Sequence, residues 1–261
     1  MRRGYVDGPH GQMHYVEAGQ GDVILLLHQT ASSSTMWGRS MPRLAERYRV
    51  VAPDNPGFGL SDPPDSKPEF ADYADSVLAV LDGLGIERAH AVGFHTGASI
   101  ALELVARHPE RTSSAVIAGI LTVENDKERE RWRELIIKPW EPDGRGEFLQ
   151  KQLDFLRMFL PEEDGELFLE ELLARLQAGG NYWWTYDALL DHPAHELVPL
   201  VERPVLVMNA VEDMLLEETK RLHAAIPGSS YVEIPGGVVA ASEHPIEFAD
   251  AVLEFLDGLP S

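Results

Sequence analysis

The stretch HAVGFHTGASIA, residues His90 to Ala101, decides how this chain is read. An apolar run ends in Gly93-Phe94-His95-Thr96-Gly97 and then continues as small and aliphatic residues at helical spacing. A short run of that kind reads as a parallel strand buried on both faces, followed by a helix. The G-x-x-x-G pattern at the junction marks a sharp strand-to-helix bend. A histidine stands at its tip.

The same alternation recurs on both sides. DVILLLHQ (22–29) and RVVAPDNPG (49–57) read as buried strands, with MWGRSMPRLAERY (36–48) between them as a helix. FADYADSVLAVLDGLG (70–85) has helical spacing and stops at Gly85. SSAVIAGIL, RPVLVMNA and YVEIPG are further strands, and PIEFADAVLEFLDGL is the last helix. Residues 3–18 alternate around GPHG as an N-terminal hairpin. Strand following helix in this way predicts a mostly parallel, twisted α/β sheet with helices on both faces. The stretch 122–200 departs from it, being charged, helical and rich in Trp. The expected organisation is a core domain of 1–121 and 201–261, with a helical lid, 122–200, inserted in it.

Composition removes several function classes. The 261 residues carry 43 acidic and 22 basic side chains, a formal net charge of −21. Nucleic acids and anionic membranes require clustered Lys and Arg, so neither is an expected partner. The absence of cysteine excludes disulfides, thiolate nucleophiles and Cys-ligated metals. No apolar run reaches the roughly 18 residues of a membrane span, and the N-terminus lacks the apolar core of a secretory signal. The expectation is a cytoplasmic protein that takes a small molecule and needs no cofactor. A homodimer is left open.

Four motifs together resemble the α/β-hydrolase superfamily along nearly the whole chain. They are LLLHQTASSSTMW (25–37), VVAPDNPGFGLSDPP (50–64), VGFHTGASIALELVARHPER (92–111) and PVLVMNAVEDMLLEET (204–219). The resemblance implies an oxyanion loop in the first, a nucleophile elbow in the third and an acid-bearing loop in the fourth. It also implies a triad in the chain order nucleophile, acid, histidine. Asp213 matches the acid. His95 occupies the position of the usual serine. The segment that usually carries the histidine is IPGGVVAASEHP (234–245), where Val239 stands at the matching place and His244 opens the final helix. His28-Gln29 replaces the usual His-Gly pair.

The two replacements move side-chain volume across the site rather than adding to it, which suits a close-packed interior. An imidazole on the elbow projects into the space a missing histidine vacates. One ring nitrogen then meets Asp213 and the other faces the pocket. The expected site is therefore a His95–Asp213 dyad in which Asp213 fixes the tautomer. His95 acts as general base, and the backbone N–H groups of Gln29 and Thr96 form the oxyanion hole. His28, Thr30, Phe94, Trp183, Trp184, Tyr186 and Val239 are the expected pocket residues. The substrate expected is a small, largely apolar carbonyl or ester-like compound. Proton abstraction, elimination, cyclisation and water activation all remain open, as does direct attack by His95.

Plainer readings stand beside these. His28 reads first as a structural residue at a strand end rather than a catalyst, Ser99 as helix packing, and Asp54 and Asp62 as caps of turns in the DNPGFGLSD loop. Trp183, Trp184 and Tyr186 anchor the lid or line the pocket. His192 and His195 are spaced for one helical face, but Pro193 between them disfavours both a continuous helix and a metal site. Because the superfamily includes receptors whose triad histidine has become aliphatic, a non-catalytic binding protein is the alternative to an enzyme. A third possibility is an ordinary hydrolase that recruits His192 or His195.

Overall fold

In the computed structural model, residues 1–259 are described. The chain opens with an antiparallel hairpin, β1 (Arg2–Gly8) and β2 (Gly11–Ala18). It continues through β3 (Val23–Leu27), a 3-10 turn at Ser34–Trp37, α1 (Met41–Leu44), β4 (Arg49–Pro53) and α2 (Phe70–Gly83). The centre follows as β5 (Ala89–Phe94), α3 (Thr96–Arg107) and β6 (Thr112–Ala118). Five helices come next: α4 (Asp126–Ile136), α5 (Glu147–Leu156), α6 (Gly165–Gln177), α7 (Trp183–Leu190) and α8 (Ala194–Leu197). The chain closes through β7 (Val205–Ala210), α9 (Leu216–Ala225), β8 (Ser230–Ile234), α10 (Ala240–Glu243) and α11 (Pro245–Asp257). Among these residues no helix is long and apolar enough to cross a membrane.

The eight strands form one sheet in the order β1-β2-β4-β3-β5-β6-β7-β8, parallel from β4 to β8 and antiparallel where β2 meets β4. Its central strands are apolar on both faces. Ile24, Leu26, Val92 and Val116 pack towards one helical layer, and Leu25, Leu27 and Ala91 towards the other. This is why those strands read as continuous apolar runs rather than as alternating ones. Glycine appears where backbones meet. A Cβ on Gly97 would lie 2.0 Å from the carbonyl oxygen of Leu27, so α3 rests directly on β3.

One expected element differs. The helix read over 36–48 is reduced to the 3-10 turn and the single turn of α1. Gly38 ends the first, and Pro42 stands in the opening turn of the second, where its missing N–H costs nothing.

Candidate active site

β5 delivers the chain to the tip of the bend, where His95 holds φ 51° and ψ −110°. Among the described residues no other non-glycine has a positive φ. Such a conformation costs on the order of 1–3 kcal/mol and persists only where its surroundings determine it. Here they do. A Cβ on Gly93 would lie 2.0 Å from the oxygen of Gly97, so both glycines are required for the bend to close. The His95 N–H donates to the Ala118 carbonyl at 2.8 Å, and the His95 carbonyl accepts from the Ala98 N–H at 2.9 Å.

The bend aims the imidazole at the loop after β7. Nε2 of His95 stands 2.7 Å from Oδ2 of Asp213, whose other oxygen accepts the Leu215 N–H at 2.9 Å. The aspartate side chain is wholly buried, whereas the imidazole keeps 17% of its surface. Burial pushes the Asp213 carboxyl up, but the adjacent imidazole, by charge and by hydrogen bond, together with the Leu215 N–H, holds it below its ordinary value. An ionised Asp213 keeps the proton on Nε2 and leaves Nδ1 with its lone pair. The ring lies flat against Phe94, with centroids 4.4 Å apart and planes 12° from parallel.

Gly119, just past β6, makes this contact possible, and the motif reading did not single it out. Its φ is +64°, and a Cβ there would stand 2.6 Å from Cδ2 and 2.9 Å from Nε2 of His95. The dyad occupies the space a side chain would take.

His95 opens on a cavity of about 120 Å³ at the carboxyl ends of the strands. Its floor comes from the loops after β3, β5, β6, β7 and β8, and its roof from α4 to α7 and the residues after α5. Most of the wall is aliphatic or aromatic. Gln29, Thr30, Thr96, Tyr186 and Val239 all line it. Thr96 takes the first position of α3, where a helix leaves its N–H without an internal acceptor. The hydroxyls of Thr30 and Thr96 are buried without a partner. Tyr186 donates its hydroxyl to the Thr30 carbonyl at 2.5 Å, tying α7 to the loop after β3.

Several expected pocket residues lie elsewhere. His28 is fully buried behind the wall. It donates from Nδ1 to the Gln29 carbonyl at 2.8 Å and accepts the Asn55 N–H at Nε2 at 2.9 Å, so its ring ties two loops together. Burial lowers its pKa, against the opposing charge of Asp54 and its bond to Gln29. Phe94 is a core residue beneath His95. Trp183 packs among the aromatic residues of the inserted helices, and Trp184 faces a separate cleft beside the 56–64 loop. Both tryptophans anchor the insert because α7 turns Tyr186 and Leu189, not them, towards the cavity. The Gln29 N–H is directed at Sδ of Met36, 3.5 Å away, rather than into the cavity.

Neither His192 nor His195 approaches the elbow. His192 is buried against Phe70, ring centroids 4.3 Å apart, and burial drives its pKa down to about 3. His195 is exposed on α8. The reading in which one of them completes a triad is set aside. Asp54 caps its own turn by accepting the Leu60 N–H at 2.9 Å. It also accepts from the Ser34 N–H at 2.6 Å and contacts Nδ1 of His14 at 2.8 Å. Asp62 accepts the Gln12 N–H of β2 at 2.8 Å, so it ties the loop to the hairpin rather than capping a turn.

The cavity also holds two charged residues absent from the sequence reading, Glu171 and Arg175, one turn apart on α6. The Arg175 guanidinium donates to Oε1 of Gln152 at 2.7 Å and to the Tyr182 hydroxyl at 3.0 Å, and lies 4.1 Å from the Phe155 ring centroid and 4.5 Å from that of Tyr182. Burial, and then the charge of Glu170, push the Glu171 carboxyl up to about 7, against the lowering pull of Arg175 and the Gln29 amide.

This sheet and the helices around it are those of one family. The model of the alpha/beta hydrolase fold matches residues 22–238, and the chain belongs to that family. It is 29% identical, over 99% of both chains, to the "Putative carbamate hydrolase RutD" of Caulobacter sp. strain K31. It is 25% identical, over 94% of both, to the pyrrolizixenacetamide deacetylase of Xenorhabdus hominickii. Among solved structures, the enol-lactonase of Burkholderia xenovorans LB400 superposes with a TM-score of 0.84 at 19% identity, covering 97% of this chain and 100% of that one. The named relatives are hydrolases of this fold.

Proposed function

We propose that this protein hydrolyses a small, largely apolar acyl compound, an ester, carbamate or amide, with His95 as general base. The observation that carries the reading is the 2.7 Å contact of Nε2 with the buried Asp213, which leaves Nδ1 for a water in the cavity. In the step proposed, Nδ1 takes a proton from that water as its oxygen adds to the carbonyl carbon. Asp213 stabilises the imidazolium. The Thr96 N–H at the start of α3 receives the developing oxyanion, with the Thr30 hydroxyl or the Gln29 amide as second donor. The C–O or C–N bond then breaks and the leaving group takes up a proton. The helices between β6 and β7 act as a lid over the cavity.

The relatives named for carbamate hydrolysis and acetamide deacetylation support a hydrolytic outcome over elimination or cyclisation. With no serine at the elbow, no acyl-enzyme is required. Rapid quenching of 4-nitrophenyl acetate turnover followed by mass spectrometry tests this: steady release of nitrophenol without an acetylated His95 is expected. A burst with acetyl-His95 would make the imidazole a nucleophile instead. The buried Val239, which the resemblance sets in the place of the family's late histidine, favours one rival, a binding protein. That reading predicts saturable binding with no product from any acyl probe.

A further inference from the structure

The dyad faces a second ionisable pair across the cavity. α6 buries Leu167, Glu171, Ala174 and Arg175 on one face, so a carboxyl and a guanidinium stand where an amphipathic helix normally places apolar groups. Glu171 is 6% exposed and lines the same cavity as His95. No ion pair within 4.0 Å joins it to Arg175, whose hydrogen bonds go to the neutral Gln152 and Tyr182. A carboxylate that served only the fold would be expected to pair with the cation one turn away. This one lines the cavity instead, with the Gln29 amide as its side-chain partner.

We propose that Glu171 is the proton donor of the reaction, delivering its proton to the leaving-group atom as the acyl bond breaks. This rests on the hydrolytic reading above. The balance is simple. Water adds to the carbonyl carbon and gives its proton to Nδ1 of His95. The acyl–oxygen bond then breaks, and its electron pair takes the proton of Glu171. The product acid leaves, and the imidazolium returns its proton to the Glu171 carboxylate through solvent. An imidazole from the elbow and a buried carboxyl from α6 line one cavity, and a base and an acid in one site are what acid–base catalysis requires. The carboxyl's displacement to about 7 has its first cause in burial and its second in Glu170. Arg175 on the same helix and the Gln29 amide from the loop after β3 pull it down, while Tyr186 on α7 and His95 on the elbow complete its titratable surroundings.

The test has two arms. In protein carrying ¹³C-labelled glutamate carboxyls, the Glu171 resonance, assigned with Glu171→Gln, is expected to titrate with a midpoint near about 7. A midpoint in the ordinary carboxylate range, or a Glu171 that never protonates, overturns the proposal without reference to any substrate. In the second arm, wild type and Glu171→Gln hydrolyse benzyl acetate and 4-nitrophenyl acetate. The nitrophenolate leaves without protonation and the benzyl alkoxide does not. The variant is therefore expected to lose about 10²-fold in kcat/KM on benzyl acetate and less than about tenfold on the nitrophenyl ester. Equal losses on both esters overturn the assignment of Glu171 and leave His95 standing. If His95→Ala retains wild-type rates, or if the wild type turns over neither ester, the hydrolytic reading falls and this assignment with it.

Discussion

At the scale of single residues, the site turns on positions where an atom is missing. Gly93 and Gly97 let strand and helix touch, and Gly119 leaves the space that the His95–Asp213 contact fills. Gly119→Ala sets a methyl group 2.6–2.9 Å from the imidazole on a backbone with φ +64°. It is expected to reduce turnover of 4-nitrophenyl acetate by at least about tenfold. It should also lower the melting temperature by several degrees, from roughly 1–2 kcal/mol of left-handed strain. Circular dichroism and steady-state kinetics on the one variant read both. Asp213→Asn keeps the shape but not the charge that fixes the tautomer, and kcat is expected to fall about 10²–10⁴-fold. His95 and Asp213 were legible in the sequence because the motifs surround them. Gly119 was not, since a glycine at a strand end reads as punctuation until the side chain opposite it is known.

At the scale of elements, α6 carries information that the motifs do not. Its period sets Glu171 and Arg175 on the face that buries Leu167 and Ala174. A count at 3.6 residues per turn through 165–177 exposes the anomaly, but sequence alone does not say that this face borders the elbow. The stretch 36–48 fails differently: its apolar spacing suggests a helix, yet Gly38 and Pro42 break it into two turns. Glu171 also makes stability depend on pH. A carboxyl whose folded pKa is raised from 4.5 to about 7 costs nothing below the unfolded value, and its stability penalty grows as pH rises through that window. Glu171→Gln should therefore leave the melting temperature unchanged near pH 4 and raise it progressively above pH 5. The gain approaches a limit on the order of 3 kcal/mol past pH 7, read by thermal melts across pH. His192, between α7 and α8, offers a control. Both its ring nitrogens are buried without a hydrogen-bond partner, Nε2 standing 3.7 Å from the buried Glu103, so His192→Leu is expected to leave turnover unchanged and stability equal or greater.

At the scale of the whole molecule, the alternation of buried runs and helices was enough to give the sheet, because each central strand is apolar on both faces. The position of the inserted helices was not legible, because their aromatic residues can either anchor or line, and packing alone decides. Trp183 and Trp184 anchor, whereas Tyr186 lines. The net charge of −21 gives the folded chain a self-repulsion that salt screens. Melting temperature is accordingly expected to rise between about 10 and 200 mM NaCl, where the Debye length contracts from roughly 30 to below 10 Å.

The imidazole at the bend is the group on which the proposed chemistry depends. The most direct measurement of that dependence is kcat/KM for 4-nitrophenyl acetate in wild type and in His95→Ala of matched circular dichroism. A fall of about 10²–10⁴-fold is the expected result, the size of a lost general base. A variant that hydrolyses the ester as fast as the wild type would contradict it.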